Sequence, residues 1–116
     1  MVIDDLISIL TGICDTVIEQ GSLGDDAPYP AERFFTIWNA SSSDHKHYDN
    51  KTFGYTWVID INFYSTDPED VYRSLEYARL ALKECGWAVG GRGHAVYSDD
   101  KSYTGRGITA VYLEIE

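Results

Sequence analysis

The stretch from Tyr55 to Trp87, YTWVIDINFYSTDPEDVYRSLEYARLALKECGW, changes its hydrophobic period part-way along, and that change decides the fold. Trp57, Ile59, Ile61 and Phe63 alternate with Thr56, Val58, Asp60, Asn62 and Tyr64, which predicts a strand with one buried face. At Asp67 the pattern switches. Its carboxylate can accept hydrogen bonds from free backbone N–H groups, Pro68 suits a first helical position, and Glu69 and Asp70 favour the positive end of a helix. Val71, Leu75, Ala78 and Leu82 then share one side, and Gly86 supplies the left-handed conformation that commonly ends a helix.

Working towards the amino terminus, RFFTIWN is rich in β-branched and aromatic residues and reads as a strand. Between it and the alternating stretch lies SSSDHKHYDN, read as a long polar loop joining two strands. GSLGDDAPYPAE is a loop whose two prolines fix extended backbone. Ile3, Leu6, Ile7, Leu10, Ile13, Cys14, Val17 and Ile18 recur at helical spacing, predicting a helix over roughly residues 2–20 that Gly21 stops. Towards the carboxyl terminus, WAV and HAVYS, separated by the glycines of GGRG, suggest a short strand or hairpin. TGRG at Thr104–Gly107 reads as a turn or bulge, and GITAVYLEI as the last strand. The expected order is α-β-β-α-β-β: one α+β domain over residues 1–116, with a mainly antiparallel sheet packed against two helices.

Composition narrows the function classes. The chain has 116 residues, 44% hydrophobic and 14% aromatic, which suits one globular core. Nine basic against 19 acidic residues give a formal net charge of −10, which opposes sequence-independent binding to nucleic acid or to an anionic membrane. MVIDDLISIL lacks the basic leader and long apolar run of a secretory signal, and no segment has the length and apolarity of a membrane span. Cys14 and Cys85 stand far apart and outside any CxxC pattern, so a cytosolic chain with reduced thiols is expected.

The candidate chemistry is thin. His45 and His47 at i, i+2, with Asp44 or Asp49, could offer metal ligands from one side of an extended segment, but the serines and Asn50 around them mark a polar loop and His94 is the only other imidazole. VGGRGH, with Arg92, has phosphate-loop glycines without the GxxxxGK[ST] spacing or a following helix. No GxSxG elbow occurs. Cys14 lies on an apolar stripe and Cys85 at a helix end where the dipole disfavours a thiolate. These residues give no catalytic constellation, and the expectation is a protein that is not an enzyme. What stands out is tyrosine and phenylalanine in or beside loops, at Tyr29, Tyr48, Phe53, Tyr55, Tyr97 and Tyr103, a composition typical of protein contacts.

FFTIWN leading into SSSDHKHYDN, the helix start FYSTDPEDVY, and GW followed by a glycine turn and TGRGI together resemble the small tail-completion or tail-terminator proteins of long-tailed bacteriophages and prophages. The resemblance extends over roughly residues 28–115. It implies an α+β fold and a structural virion protein that completes or caps the tail tube and joins it to the head connector. It also implies a homo-oligomeric ring, hexameric in the assembled tail, with the tail tube protein and the head-completion protein as partners. The location implied is the head-proximal end of the tail, with host cytoplasm during assembly. No cofactor, catalytic residue, stable nucleic-acid binding or membrane contact is implied. Asp44, His45, His47, Tyr48, Asp49 and Asn50, together with Arg92, His94, Tyr103 and Arg106, are the candidate interface residues of the two loop regions. A head-completion protein on the capsid side of the joint and a small non-enzymatic binding module are the competing readings.

Overall fold

The chain runs through helix α1 (Val2–Thr11), strands β1 (Val17–Glu19), β2 (Arg33–Asp44), β3 (His47–Tyr48), β4 (Lys51–Thr52) and β5 (Gly54–Ser65), and helix α2 (Pro68–Glu84). Strands β6 (Ala88–Val89), β7 (His94–Val96) and β8 (Thr104–Ile115) follow. The computed structural model describes residues 2–19, 32–44, 47–48, 51–52, 54–91, 93–96, 98 and 101–115. Six strands form one sheet in the order β1-β2-β5-β8-β6, with β7 also paired to β8, while β3 and β4 pair with each other. Only the β1–β2 pair is parallel. The fold is therefore α+β, with two helices and a mostly antiparallel sheet, as the periodicities predict.

Strand β5 is the centre. It pairs with β2 from Tyr55 to Ser65 and with β8 from Gly54 to Ser65. Its odd-numbered residues Ile59, Ile61 and Phe63 are fully buried beneath the helices, joined by Phe35 and Ile37 from β2 and Ile108 and Ala110 from β8. Leu6 and Leu10 of α1, and Val71, Leu75, Ala78 and Leu82 of α2, close that core. Each large aliphatic side chain fully withdrawn from water contributes about 1.5–3 kcal/mol before entropy is counted. The ring centroids of Phe35 and Phe63 lie 4.6 Å apart within it.

Helix α2 begins and ends as its sequence signals. The Asp67 side chain accepts from the Glu69 backbone N–H at 3.0 Å, Pro68 opens the helix, and Gly86 follows with φ of 93°. Ser74 joins the buried set.

The structure departs from the sequence pattern at several places. Helix α1 ends at Thr11 rather than near residue 20, because Gly12 follows and the N–H groups of Ile13 and Cys14 both close on the Leu10 carbonyl. Val17 and Ile18, β-branched, then enter the sheet beside Phe35 and Thr36, although their spacing continues the helical stripe. Strand β2 runs on to Asp44, past a bulge between Asn39 and Ser41, so Ser41–Asp44 are strand rather than loop. Their backbone pairing with Val58–Tyr55 outweighs the poor strand propensity of three serines. The WAV and HAV segments hold short strands, one of the two readings offered for them, but not a hairpin with each other, since β6 and β7 each pair with β8.

TGRG is likewise regular strand, neither turn nor bulge, in unbroken register with β5. A Cβ on Gly105 would sit 2.7 Å from the Tyr64 ring and 2.8 Å from Val96, and a Cβ on Gly107 would collide with the Asn62 amide. The glycines are required because neighbouring side chains lie flat across the strand. Tyr64 cannot yield easily, its ring being stacked on Phe34 with centroids 5.2 Å apart. Gly105→Ala should therefore destabilise the chain by about 1–3 kcal/mol. Chemical denaturation of the two proteins checks this, and equal midpoints would mean that the Tyr64 ring moves aside freely.

Candidate functional site

The helices cover one face of the sheet only. On the other face β5 presents its even-numbered residues, β2 presents Phe34, Thr36 and Trp38, and β8 presents Gly105, Gly107, Thr109, Val111 and Leu113. One end of this face is sealed by aromatic rings, Phe34 lying between Tyr64 and the edge of Tyr103 at 6.1 Å. Phe34 is consequently buried. Further along, the cover stops. Trp38 is 46% exposed and Leu113 47% exposed, with Val58 and Val111 half-buried between them and directly paired in register. Asp60 is the one charged group in this patch among the described residues, and its Oδ1 accepts from the Thr109 hydroxyl at 3.0 Å. A sheet face carrying exposed tryptophan and leucine, in a chain with this many charges, has the character of a contact surface.

The sheet also extends beyond the helices. Strands of 12 residues reach roughly 40 Å, whereas the 17 residues of α2 span roughly 25 Å. Tyr55, on the helix side of β5 near the Asp44 end, is 36% exposed. Next along, Trp57 is half-buried and donates its indole N–H to Glu114 Oε1 at 3.3 Å.

The sequence-predicted interface residues divide between the two ends of the sheet. Asp44 closes β2 opposite Tyr55, and His47 and Tyr48 form β3, paired with Thr52 and Lys51. His45, Asp49, Asn50 and Arg92 lie outside the described residues. At the other end, His94 begins β7 opposite Gly107 and is exposed, and Tyr103 packs on Phe34. Arg106 crosses from β8 to α2: Nη2 donates to the Gly93 carbonyl at 2.9 Å and the guanidinium lies 4.8 Å from the Tyr72 ring centroid. Its Nε is buried without an acceptor among the described residues. Eight positions of β5 separate the partner of Asp44 from the partner of Arg106, roughly 27 Å of strand, so the two sets make no single site.

Among the described residues no group of three His, Cys, Asp or Glu side chains is placed to hold a metal. Two grooves border α1. One is lined by Ile3, Asp4, Glu19, Ile37 and Trp38, the other by Val2, Asp5, Ser8, Cys85 and Tyr112, and neither contains a histidine. Cys14 is buried, as its place on the apolar stripe predicts, and Cys85 is exposed, both as free thiols. Among the described residues no helix is long and apolar enough to cross a membrane.

One polar cluster escaped the sequence reading. Arg33, at the start of β2, holds Asp70 of α2 through Nε at 2.9 Å and Nη2 at 3.2 Å, and Nη2 also reaches the Ser74 hydroxyl at 2.9 Å. Ser74 in turn donates to Asp70 Oδ1 at 2.9 Å. Burial pushes the Asp70 carboxyl up, but hydrogen bonds from Arg33, Ser74 and Ser65 and the Arg33 charge outweigh it and leave the group below its ordinary range. The clamp fixes α2 to the sheet at the end opposite the Asp44–Tyr55 extension. No signal along the chain could have paired residues 37 positions apart.

A carboxyl lowered in the folded state stabilises the fold above its unfolded value near 4 and loses that contribution as pH falls through its folded value. Asp70→Asn should cost about 1–2 kcal/mol at neutral pH and flatten the acid dependence below about pH 4. Urea midpoints across a pH series check the sign; a variant with an unchanged acid limb contradicts it.

No protein-family model matches the chain, and no curated protein is similar to it. The resemblance to tail-completion proteins therefore stands on the quoted sequence pieces.

Proposed function

We propose that this chain is a structural virion protein that completes or caps the tail tube of a long-tailed phage and joins it to the head connector as a ring. The observation that supports the reading best is the half-covered sheet: one face carries both helices, and the other exposes Trp38 and Leu113 with Val58 and Val111 half-buried between them. Such a face is completed by another protein surface rather than by a small substrate.

Charge fits a passage for DNA. With a formal net charge of −10, a ring of these subunits repels a duplex moving through it, whereas a lumen of Lys and Arg would hold phosphate through counterion release. The same charge makes copies repel one another over a screening length of about 10 Å at 0.1 M salt.

Particles from a strain lacking the protein should carry overlong or detached tails when viewed by electron microscopy. Tails of normal length still joined to heads would overturn the assignment, and empty or leaking heads with normal free tails would move it to the capsid side of the joint. The purified chain should show no DNA binding at low salt and should self-associate more strongly as ionic strength and concentration rise. Sedimentation across a salt series reads the second effect, and assembly that weakens steadily with salt contradicts the charge account.

A further inference from the structure

We propose that helix α2 of one copy packs onto the open sheet face of the next, so that each subunit supplies the helical layer its neighbour lacks. This rests on the ring reading above and names the two faces that build it. The sheet is covered from one side by its own helices, and α2 turns two large hydrophobic side chains away from the core, set among charged residues. Tyr77 is 56% exposed and Leu80 48% exposed on that outer side, one turn apart. The two unpartnered surfaces therefore lie on opposite sides of the subunit. Contact between unlike faces is heterologous, and it propagates from copy to copy until it closes.

Charge identifies a second copy as the occupant. Like-charged subunits can meet only where their surfaces are close to neutral, and both faces satisfy that condition in a chain with ten excess negative charges. On α2, Glu69, Asp70, Glu76 and Glu84 face Arg73, Arg79 and Lys83. Arg33 neutralises Asp70, and Arg79 is bonded to Glu76 at 2.6 Å, which leaves Arg73 and Lys83 against Glu69 and Glu84. On the sheet, Asp60 stands alone between Trp38 and Thr109, its register neighbours. Arg73, exposed and one turn before Tyr77, offers the opposite charge from the helix side. An apolar contact centred on Trp38 and Leu80, with Asp60 meeting Arg73, joins the faces without bringing carboxylates together. A basic partner protein would be served better by the groove beside α1, where Asp4 and Glu19 border one edge of Trp38, than by the middle of the sheet face, where Asp60 is the one carboxylate among the described residues.

The test is a charge exchange read by sedimentation of the full chain at one fixed salt concentration. Asp60→Arg alone and Arg73→Glu alone should each weaken self-association by about tenfold or more, because like charges then face each other. An equimolar mixture of the two should assemble as the unaltered chain does, since every altered face meets a face of opposite charge. A second pair removes dependence on charge. Trp38→Ser blocks only the sheet face and Leu80→Ser only the helix face, so each should be defective alone while their mixture stops at dimers. Matched circular dichroism spectra establish that the variants are folded.

Variants that assemble like the unaltered chain, mixtures as defective as their components, or an unaltered chain that stays monomeric at every concentration each overturn the inference. The first of these leaves a ring built through other faces and does not touch the tail reading. Normal tails in particles lacking the protein remove the tail reading while leaving any measured contact between these faces in place.

Discussion

Strand β5 is hydrogen-bonded along almost its entire length on both sides, and the rest of the molecule depends on that constraint. Its backbone cannot shift register without turning Ile59, Ile61 and Phe63 out of the core, because side chains alternate with a period of two. Fixing β5 fixes β2 and β8 beside it, and with them the face against which α1 and α2 pack. The opposite face is determined by the same alternation. Burying odd-numbered residues leaves Thr56, Val58, Asp60 and Asn62 looking away from the helices, and β2 and β8 add Trp38 and Leu113. An antiparallel sheet can tolerate water on one side. Here that side exposes Trp38 and Leu113, and those two side chains motivate the assembly account.

What could be read in the sequence were features whose cause is local. Asp67, Pro68 and Gly86 mark α2 because capping and φ preferences act within a few residues. The alternation in β5 was legible for the same reason. Features decided by distant partners were not. Val17 and Ile18 continue a helical stripe, yet pairing with Phe35 and Thr36 draws them into the sheet. The serines at 41–43 resemble a loop, yet the partner strand extends them. Gly105 and Gly107 resemble turn residues until Tyr64, Val96 and Asn62 are seen across them.

The candidate surface was legible only in part. Tyr103 packs on Phe34 and Arg106 bridges to Tyr72, contacts within the subunit that residue type and loop-like composition do not announce. Trp38 and Leu113 look like ordinary strand residues in the sequence, yet both are exposed. The alternation of RFFTIWN does place Trp38 on the face opposite Phe35 and Ile37, but whether that face is covered is a property of the assembled fold. The Arg33–Asp70–Ser74 clamp was invisible for a related reason, since its members come from separate elements.

The central claim is that the uncovered sheet face is where another copy of the chain sits. Hydroxyl-radical footprinting of the purified protein, dilute and assembled, reads this directly at Trp38 and Leu113. The account predicts that both are oxidised readily in the dilute chain and become protected on assembly, together with Tyr77 and Leu80 on α2. Assembly that proceeds with Trp38 and Leu113 as reactive as before would contradict it.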